Sequence, residues 1–335
     1  MDAHILLSDP AWFLASVDLD TKQLSFVKTS EDNLHSAPFL DGRTSIGASD
    51  EVISVPLKKA LEAYQPDERP DRLIAHMSFC GSTYLSRTIE GAGEALCYRE
   101  PHTLVELASL KALGHPISKN REEWMALLRL VLGQYRKPWP TAISLVKPSN
   151  WANTLLSDLI EASSDMKLVS LEYDVKAYLV ANLRGGRDRL QYSLNLLNHF
   201  LSANSAYRGD VLRVERAQLP PMQRLLRLLV IVYETQKQLL DQAIQTANGH
   251  RFVWSCLSQK PSETLPRIAK ALDLTLPTTS IEAALAKEEG HHAKNKAEAY
   301  TPEQEAARNA EILSQFEADI REALNWRQTE LGLAA

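Results

Sequence analysis

Cysteine is scarce in this chain. Three occur in 335 residues, Cys80, Cys97 and Cys256, with no metal-like spacing and no disulfide framework, so a reducing, cytoplasmic setting is expected. Long hydrophobic runs are also missing. The longest, residues 225–233, is interrupted by Arg227 and falls short of a membrane span. The opening Met1-Asp-Ala-His-Ile-Leu-Leu has neither a basic start nor a long apolar core, so no signal peptide is expected. Basic residues are not in excess: 37 Lys and Arg face 42 Asp and Glu, a net charge of −5. That balance argues against nucleic acid as the main partner while allowing a local basic pocket. Internal repeats and low-complexity tracts are absent.

What remains is a soluble globular composition, 44% hydrophobic and 24% charged, long enough for two domains or one large α/β domain. Short apolar runs alternate with helical spacing from about residue 72 onward. Arg72-Leu-Ile-Ala-His-Met, Ala95-Leu-Cys-Tyr, Thr141-Ala-Ile-Ser-Leu-Val, Lys167-Leu-Val-Ser-Leu and Arg251-Phe-Val-Trp read as strands. The alternation predicts a central parallel sheet flanked by helices in three layers. Residues 1–68 read as a small N-terminal appendage with a hairpin at 12–28 and a short helix at 54–64, and 69–335 as the α/β domain with a helical C-terminal region. The run at 225–233 is apolar on every face, which predicts a central helix; a helix-mediated homodimer and burial within one chain both account for it.

The chemistry concentrates after the first strand of that domain. Ser78-Phe-Cys-Gly-Ser-Thr83 is a turn with Gly81 at its tightest point, and Tyr84-Leu-Ser-Arg87 continues it as a helix. Strand, glycine turn and helix N-terminus together make an anion cradle of free amides, with Ser82 and Thr83 able to add hydroxyls. The ordinary ATPase loop needs a leading glycine and a lysine, whereas His76 and Ser82 occupy those positions, so that pattern fails. A structural strand-to-helix turn capped by Thr83 remains the plain alternative. The other strand ends carry Glu100, Lys147, Glu172 and Ser255, at the edge where ligands bind in such sheets. Arg99 and His102 flank Glu100 as candidate ion-pair partners.

These residues resemble the sulfotransferase family, a branch of the P-loop NTPase fold that uses 3′-phosphoadenosine 5′-phosphosulfate (PAPS). The resemblance runs over about residues 72–275. Ser78-Phe-Cys-Gly-Ser-Thr-Tyr-Leu-Ser-Arg87 is similar to the family's PRSGTTLLSR loop. Tyr98-Arg-Glu-Pro-His102 lies where several members carry a catalytic glutamate, and Leu145-Val-Lys-Pro-Ser-Asn-Trp151 is similar to the DKTP-type strand end. The segment 166–183 occupies the place of the RDPRDVAVS pattern, and 252–274 resembles the YEDLLxxPxxTLxxIxxFLGL segment.

The resemblance implies a metal-free transfer of a sulfuryl group from PAPS to an acceptor hydroxyl or amine of a small molecule or peptide. It assigns nucleotide contacts to Ser78, Phe79, Cys80, Gly81, Ser82, Thr83, Tyr84 and Arg87. Catalytic roles fall to Glu100 as base, Lys147 at the sulfuryl end, and His102. The chain departs from the pattern at two places. Phe79 stands where the loop's basic residue belongs, and Glu172 and Val180 stand where an arginine and a serine hold the 3′-phosphate. The candidate replacements are Lys147 at the sulfuryl end and Arg184 or Arg187 for the terminal phosphate, with the stretch His291-His-Ala-Lys-Asn-Lys296 as a candidate flexible basic flap. Two rivals stay open: a kinase-like phosphotransferase using Mg-ATP, with Glu100 or Glu172 as a metal ligand, and a non-catalytic nucleotide- or anion-binding scaffold.

Overall fold

A computed structural model describes residues 2–47, 51–93, 95–139, 143–204, 206–288, 291–292, 295–299 and 301–333. The N-terminal part forms three antiparallel strands, β1 (Trp12–Asp18), β2 (Gln23–Lys28) and β3 (Val52–Pro56), in the order β1-β2-β3. The expected hairpin is therefore present and carries a third strand. The expected helix at 54–64 begins only at Leu57, because Ile53 and Val55 pair with Phe26 and Leu24 of β2.

The main sheet contains β4 (Asp71–His76), β5 (Ala95–Arg99), β6 (Ile143–Lys147), β7 (Met166–Glu172) and β8 (His250–Val253). All pair in parallel, in the order β5-β6-β4-β7-β8. Residues 141 and 142, read as the start of the third of these strands, lie outside the described residues. The chain leaves β4 toward one edge of the sheet, then crosses to the other edge through β7. The crevice at the carboxyl end of β4 is thus the topological switch point, where open α/β sheets bind ligands. Helices cover both faces, giving the three-layer, P-loop-like α/β fold expected from the sequence.

Packing explains the apolar run at 225–233. It belongs to a 27-residue helix, Pro221–Ala247, whose Leu226, Leu229, Val230, Ile231 and Val232 are fully buried. At about 1.5–3 kcal/mol per buried side chain, these five alone outweigh several surface ion pairs. A kinked C-terminal helix, Pro302–Glu330, covers much of its remaining surface. Arg227, the charge that interrupts the run, bonds Glu322 of that helix at 2.5 Å and lies over the Trp326 ring. Arg327 bonds Glu234 at 2.5 Å in a buried pair between the same helices. Burial within one chain therefore accounts for the apolar faces. Among the described residues no helix is long and apolar enough to cross a membrane.

The N-terminal strands do not stand apart from the sheet. Arg99, buried at the end of β5, donates to the carbonyls of Leu34, His35 and Ala37 and pairs with Glu90. Leu40 and β5 also exchange a backbone bond, from Leu40 N–H to Arg99 O at 2.7 Å. Arg99 thus ties the segment after residue 30 to the edge of the main sheet. That segment then runs past Glu100.

Candidate active site

The loop after β4 folds as its sequence suggests, for identifiable reasons. Gly81 sits at φ +77°, immediately before the helix Ser82–Gly91. A β-carbon there would overlap the six-membered ring of Trp254, so glycine is required both by backbone angle and by close approach. Phe79 also has positive φ, +64°, which is strained for a bulky residue. Two contacts hold it: the edge of Tyr192 at 5.8 Å and the Arg189 guanidinium over its face at 4.8 Å.

Beneath the loop lies a buried polar network. Gln236, on the long helix, accepts from Ser78 N–H at 3.0 Å, from Ser78 Oγ at 3.1 Å and from Asn150 Nδ2 at 3.1 Å. Asn150 Nδ2 also donates to Ser78 Oγ at 2.6 Å, and Tyr192 donates its hydroxyl to Asn150 Oδ1 at 2.6 Å. Ser78 is consumed by these bonds. It serves as an anchor of the loop, not as one of its anion donors. Cys80 is likewise engaged, donating to Leu171 O at 3.2 Å, and burial pushes its thiol up to about 12.

The donors that remain point to an anion. Among the described residues no hydrogen bond engages the amides of Cys80, Gly81 and Thr83 or the hydroxyls of Ser82 and Thr83, whereas the Ser82 amide faces the Cys80 sulfur. Both side chains are nearly enclosed, at 6% and 3% exposure. Neither hydroxyl oxygen is sealed away from solvent, so water or a ligand meets them; a donor that neither reached would cost about 1–3 kcal/mol. Tyr84 and Trp254 meet edge to face at 5.8 Å beside the loop and offer a half-exposed aromatic surface. Trp254 was expected as the last residue of β8. Instead it opens the helix Trp254–Gln259, and that turn swings its indole over Gly81.

At the next strand ends the two expected catalytic residues meet each other. Lys147 Nζ donates to Glu100 Oε1 at 2.5 Å, with Lys147 fully buried and Glu100 19% exposed. Glu100 has φ +54° and bonds through its N–H to Lys147 O at 2.7 Å, so backbone and side chain both lock the pair. Neither Arg99 nor His102 is the partner of Glu100. The His102 ring faces Glu106 at 3.5 Å, and Glu106 in turn binds Ser16 and Val17 of β1. Phe39 lies over the Lys147 ammonium at 5.8 Å, with Arg43 stacked on its ring and paired to Asp41. The segment 37–46, for which the sequence suggested no chemistry, thus walls this side of the site.

The corner expected to hold a 3′-phosphate has a different make-up. Glu172 accepts from Ser170 Oγ at 2.6 Å and from Arg251 Nε at 2.9 Å. Arg251 also pairs with Asp241, which holds Lys237 at 2.7 Å. Two carboxylates and two cations leave little net charge there, and this cluster as it stands does not fit a phosphate. Arg184 is occupied by Glu305 and by Asn309 Oδ1, Arg187 is exposed, and the side chains of 291–296 lie outside the described residues. Arg87 points elsewhere. It lines a cavity of about 550 Å³ with Glu31, His35, Glu90, Lys287 and Glu288, and its buried Nη1 has no partner among the described residues. The structure therefore gathers Gly81, Ser82, Thr83 and Tyr84 in one place, and Glu100 with Lys147 at the neighbouring strand ends. Arg184 and His102 are engaged with Glu305 and Glu106, and Arg87 lines a separate cavity. Arg189, Tyr192, Asn150, Gln236 and Trp254 are the residues that sequence reasoning missed.

Comparison with known proteins yields structural likenesses only. No protein-family profile matches the chain, and no curated protein matches it significantly. The sulfotransferase domain from the curacin biosynthetic pathway is 12% identical with a TM-score of 0.37, over 75% of this chain and 99% of that one. A sulfotransferase from Alicyclobacillus acidocaldarius is 14% identical with a TM-score of 0.34, over 76% and 96%. Likeness at this level carries no argument about activity. The functional reading rests on the residues of the site.

Proposed function

We propose that the chain is a sulfotransferase-like enzyme moving a sulfuryl group from PAPS to a hydroxyl or amine of a small molecule or peptide. One observation carries the reading: a cradle of unmet amides and hydroxyls shares a sheet edge with the Glu100–Lys147 pair. PAPS, when bound, supplies the sulfuryl group. The amides of residues 80–83, with Ser82 and Thr83, hold the phosphosulfate oxygens and take up charge as it develops on them. Tyr84 and Trp254 present an aromatic surface to the base. Glu100 takes the proton from the acceptor, and Lys147 fixes the carboxylate in place. These residues fit the phosphosulfate end of the donor, whereas the Glu172–Arg251–Asp241 cluster does not fit its 3′-phosphate.

Glu100→Gln keeps an acceptor for the Lys147 ammonium but removes the base. The variant is expected to bind 3′,5′-ADP like the wild type. Release of 3′,5′-ADP from PAPS with a panel of phenols and amines should fall by about 10²–10⁴-fold. Undiminished turnover would remove Glu100 from the mechanism.

A further inference from the structure

We propose that Arg189 is an anion-binding residue of the loop, delivered from a different element and directed at the terminal, diphosphate-like end of the ligand. The inference rests on the reading of the loop as an anion site, though not on PAPS being the anion.

Three features of the structure converge on this side chain. The first is position. The Arg189 guanidinium lies 4.8 Å from the centroid of the Phe79 ring, and Phe79 is itself a residue of the loop. Tyr192, one turn further along the same helix (Gly186–Ala203), packs its edge on the same ring and bonds Asn150 beneath the loop. The helix is thus docked on the loop at two points, both on the Phe79 ring.

The second feature is an unbalanced charge. Arg189 donates one hydrogen bond, from Nη1 to Ala181 O at 3.0 Å, and no carboxylate lies within ion-pair distance of it among the described residues. Its neighbour Arg184 is different, being neutralised by Glu305. Burial and the nearby Arg184 both push the Arg189 pKa down from the usual guanidinium value. Glu305 acts on it in the opposite sense from beyond ion-pair distance, and an anion bound at the loop would offset more of the cost of this partly desolvated cation.

The third feature is room made by the backbone. A β-carbon at Gly185 would collide with Cδ of Arg189, so the glycine lets the arginine stem lie flat across the turn between two helices. Gly185 itself has φ −78°, an angle any residue adopts, so the backbone does not demand glycine there. The close approach of Arg189 uses the space, and a β-carbon there would require the arginine stem to shift. Meanwhile the nearly buried hydroxyls of Ser82 and Thr83 stand without partners on the loop. On this proposal the guanidinium approaches the hydroxyls and amides from the Phe79 side and shares with them an anion that has at least two charged oxygens.

The test uses the full chain with inorganic pyrophosphate as the probe, by calorimetry at low salt, beside a parallel titration with 3′,5′-ADP. The wild type is expected to bind pyrophosphate. Arg189→Gln should bind it roughly ten- to a hundredfold more weakly, the range for losing one charged hydrogen-bond donor. Arg189→Lys should recover part of the loss, and the salt dependence of binding should be shallower in the glutamine variant. Failure of the wild type to bind pyrophosphate overturns the inference. So does binding by Arg189→Gln within twofold of wild type. A folded Arg189→Lys as weak as the glutamine variant would show that packing, not charge, is what Arg189 provides, and would also overturn it. A wild type that binds pyrophosphate but not 3′,5′-ADP refutes the PAPS reading alone, and the Arg189 comparison still decides the inference.

Discussion

Replacing Gly81 by alanine perturbs the loop where two constraints meet. The first is the backbone, held at φ +77°, where a β-carbon costs about 1–2 kcal/mol. The second is Trp254, whose ring occupies the space the new carbon needs. The indole must swing away, forfeiting its edge contact with Tyr84, worth about 0.5–1.5 kcal/mol. The two losses sum to roughly 1.5–3.5 kcal/mol. With about 2.1 cal/mol/K of unfolding entropy per residue over 335 residues, that corresponds to a drop in Tm of roughly 2–5 °C. Anion binding should fall at least tenfold, because the amides of residues 80–83 are carried by the same turn.

A double-mutant cycle separates the two constraints. In a Trp254→Ala background the added methyl group has room, and Gly81→Ala should cost only its backbone share. Urea unfolding of the four proteins would measure the coupling. A Gly81→Ala cost that is the same in both backgrounds would refute the claim that Trp254 closes over the loop.

Other consequences follow from the network and from buried titrating groups. Gln236→Leu strips the acceptor from Ser78 N–H, Ser78 Oγ and Asn150 Nδ2, all buried. It should destabilise by roughly 2–4 kcal/mol in urea unfolding and weaken anion binding; a change under about 0.5 kcal/mol would show that the network does not hold the loop. Burial pushes His76 down to about 3 and His199 to about 4, from 6.5. In both cases the unfolded chain takes the proton first as pH falls, so stability should decline from pH 6.5 downward. Lys137 donates to Leu6 O and Trp12 O, and burial lowers it from 10.5 to about 7. Here too the unfolded chain binds the proton more tightly, so stability should rise between about pH 7 and pH 9. Tm measured across that window should flatten in Lys137→Met, and an unchanged slope would contradict the assignment.

The sheet was legible because each of its strands is a short apolar run bounded by turn residues, and helical spacing separates them. The loop and the paired strand ends were legible for a related reason: in a parallel sheet, sequence position fixes which end a residue occupies. Trp254 was not. An aromatic after Phe252 and Val253 fits a strand, and only the packing against Gly81 shows that the chain has already turned into a helix. Arg189 carries no local signal, since an arginine on a polar helix looks like any other solvated charge. Its one trace in the sequence is Gly185, whose need becomes visible only when the stem lies across it. The pairing of Glu172 with Arg251 depends on the register of β7 against β8, which joins residues 79 positions apart. Arg99 misled in the opposite direction. At a strand end beside Glu100 it looked like a partner for the carboxylate, yet it is buried among carbonyls of the segment after residue 30.

The most direct test of the central claim is a thermal-shift titration with 3′,5′-ADP and with ATP, each with and without Mg²⁺. Ligand at a hundred times its dissociation constant adds about 2.7 kcal/mol, a rise of roughly 4 °C for a chain of this size. The account predicts that 3′,5′-ADP raises Tm by that amount whether or not Mg²⁺ is present. A shift seen only with Mg-ATP would contradict it in favour of a phosphotransferase, and no shift with either nucleotide would leave the loop a scaffold.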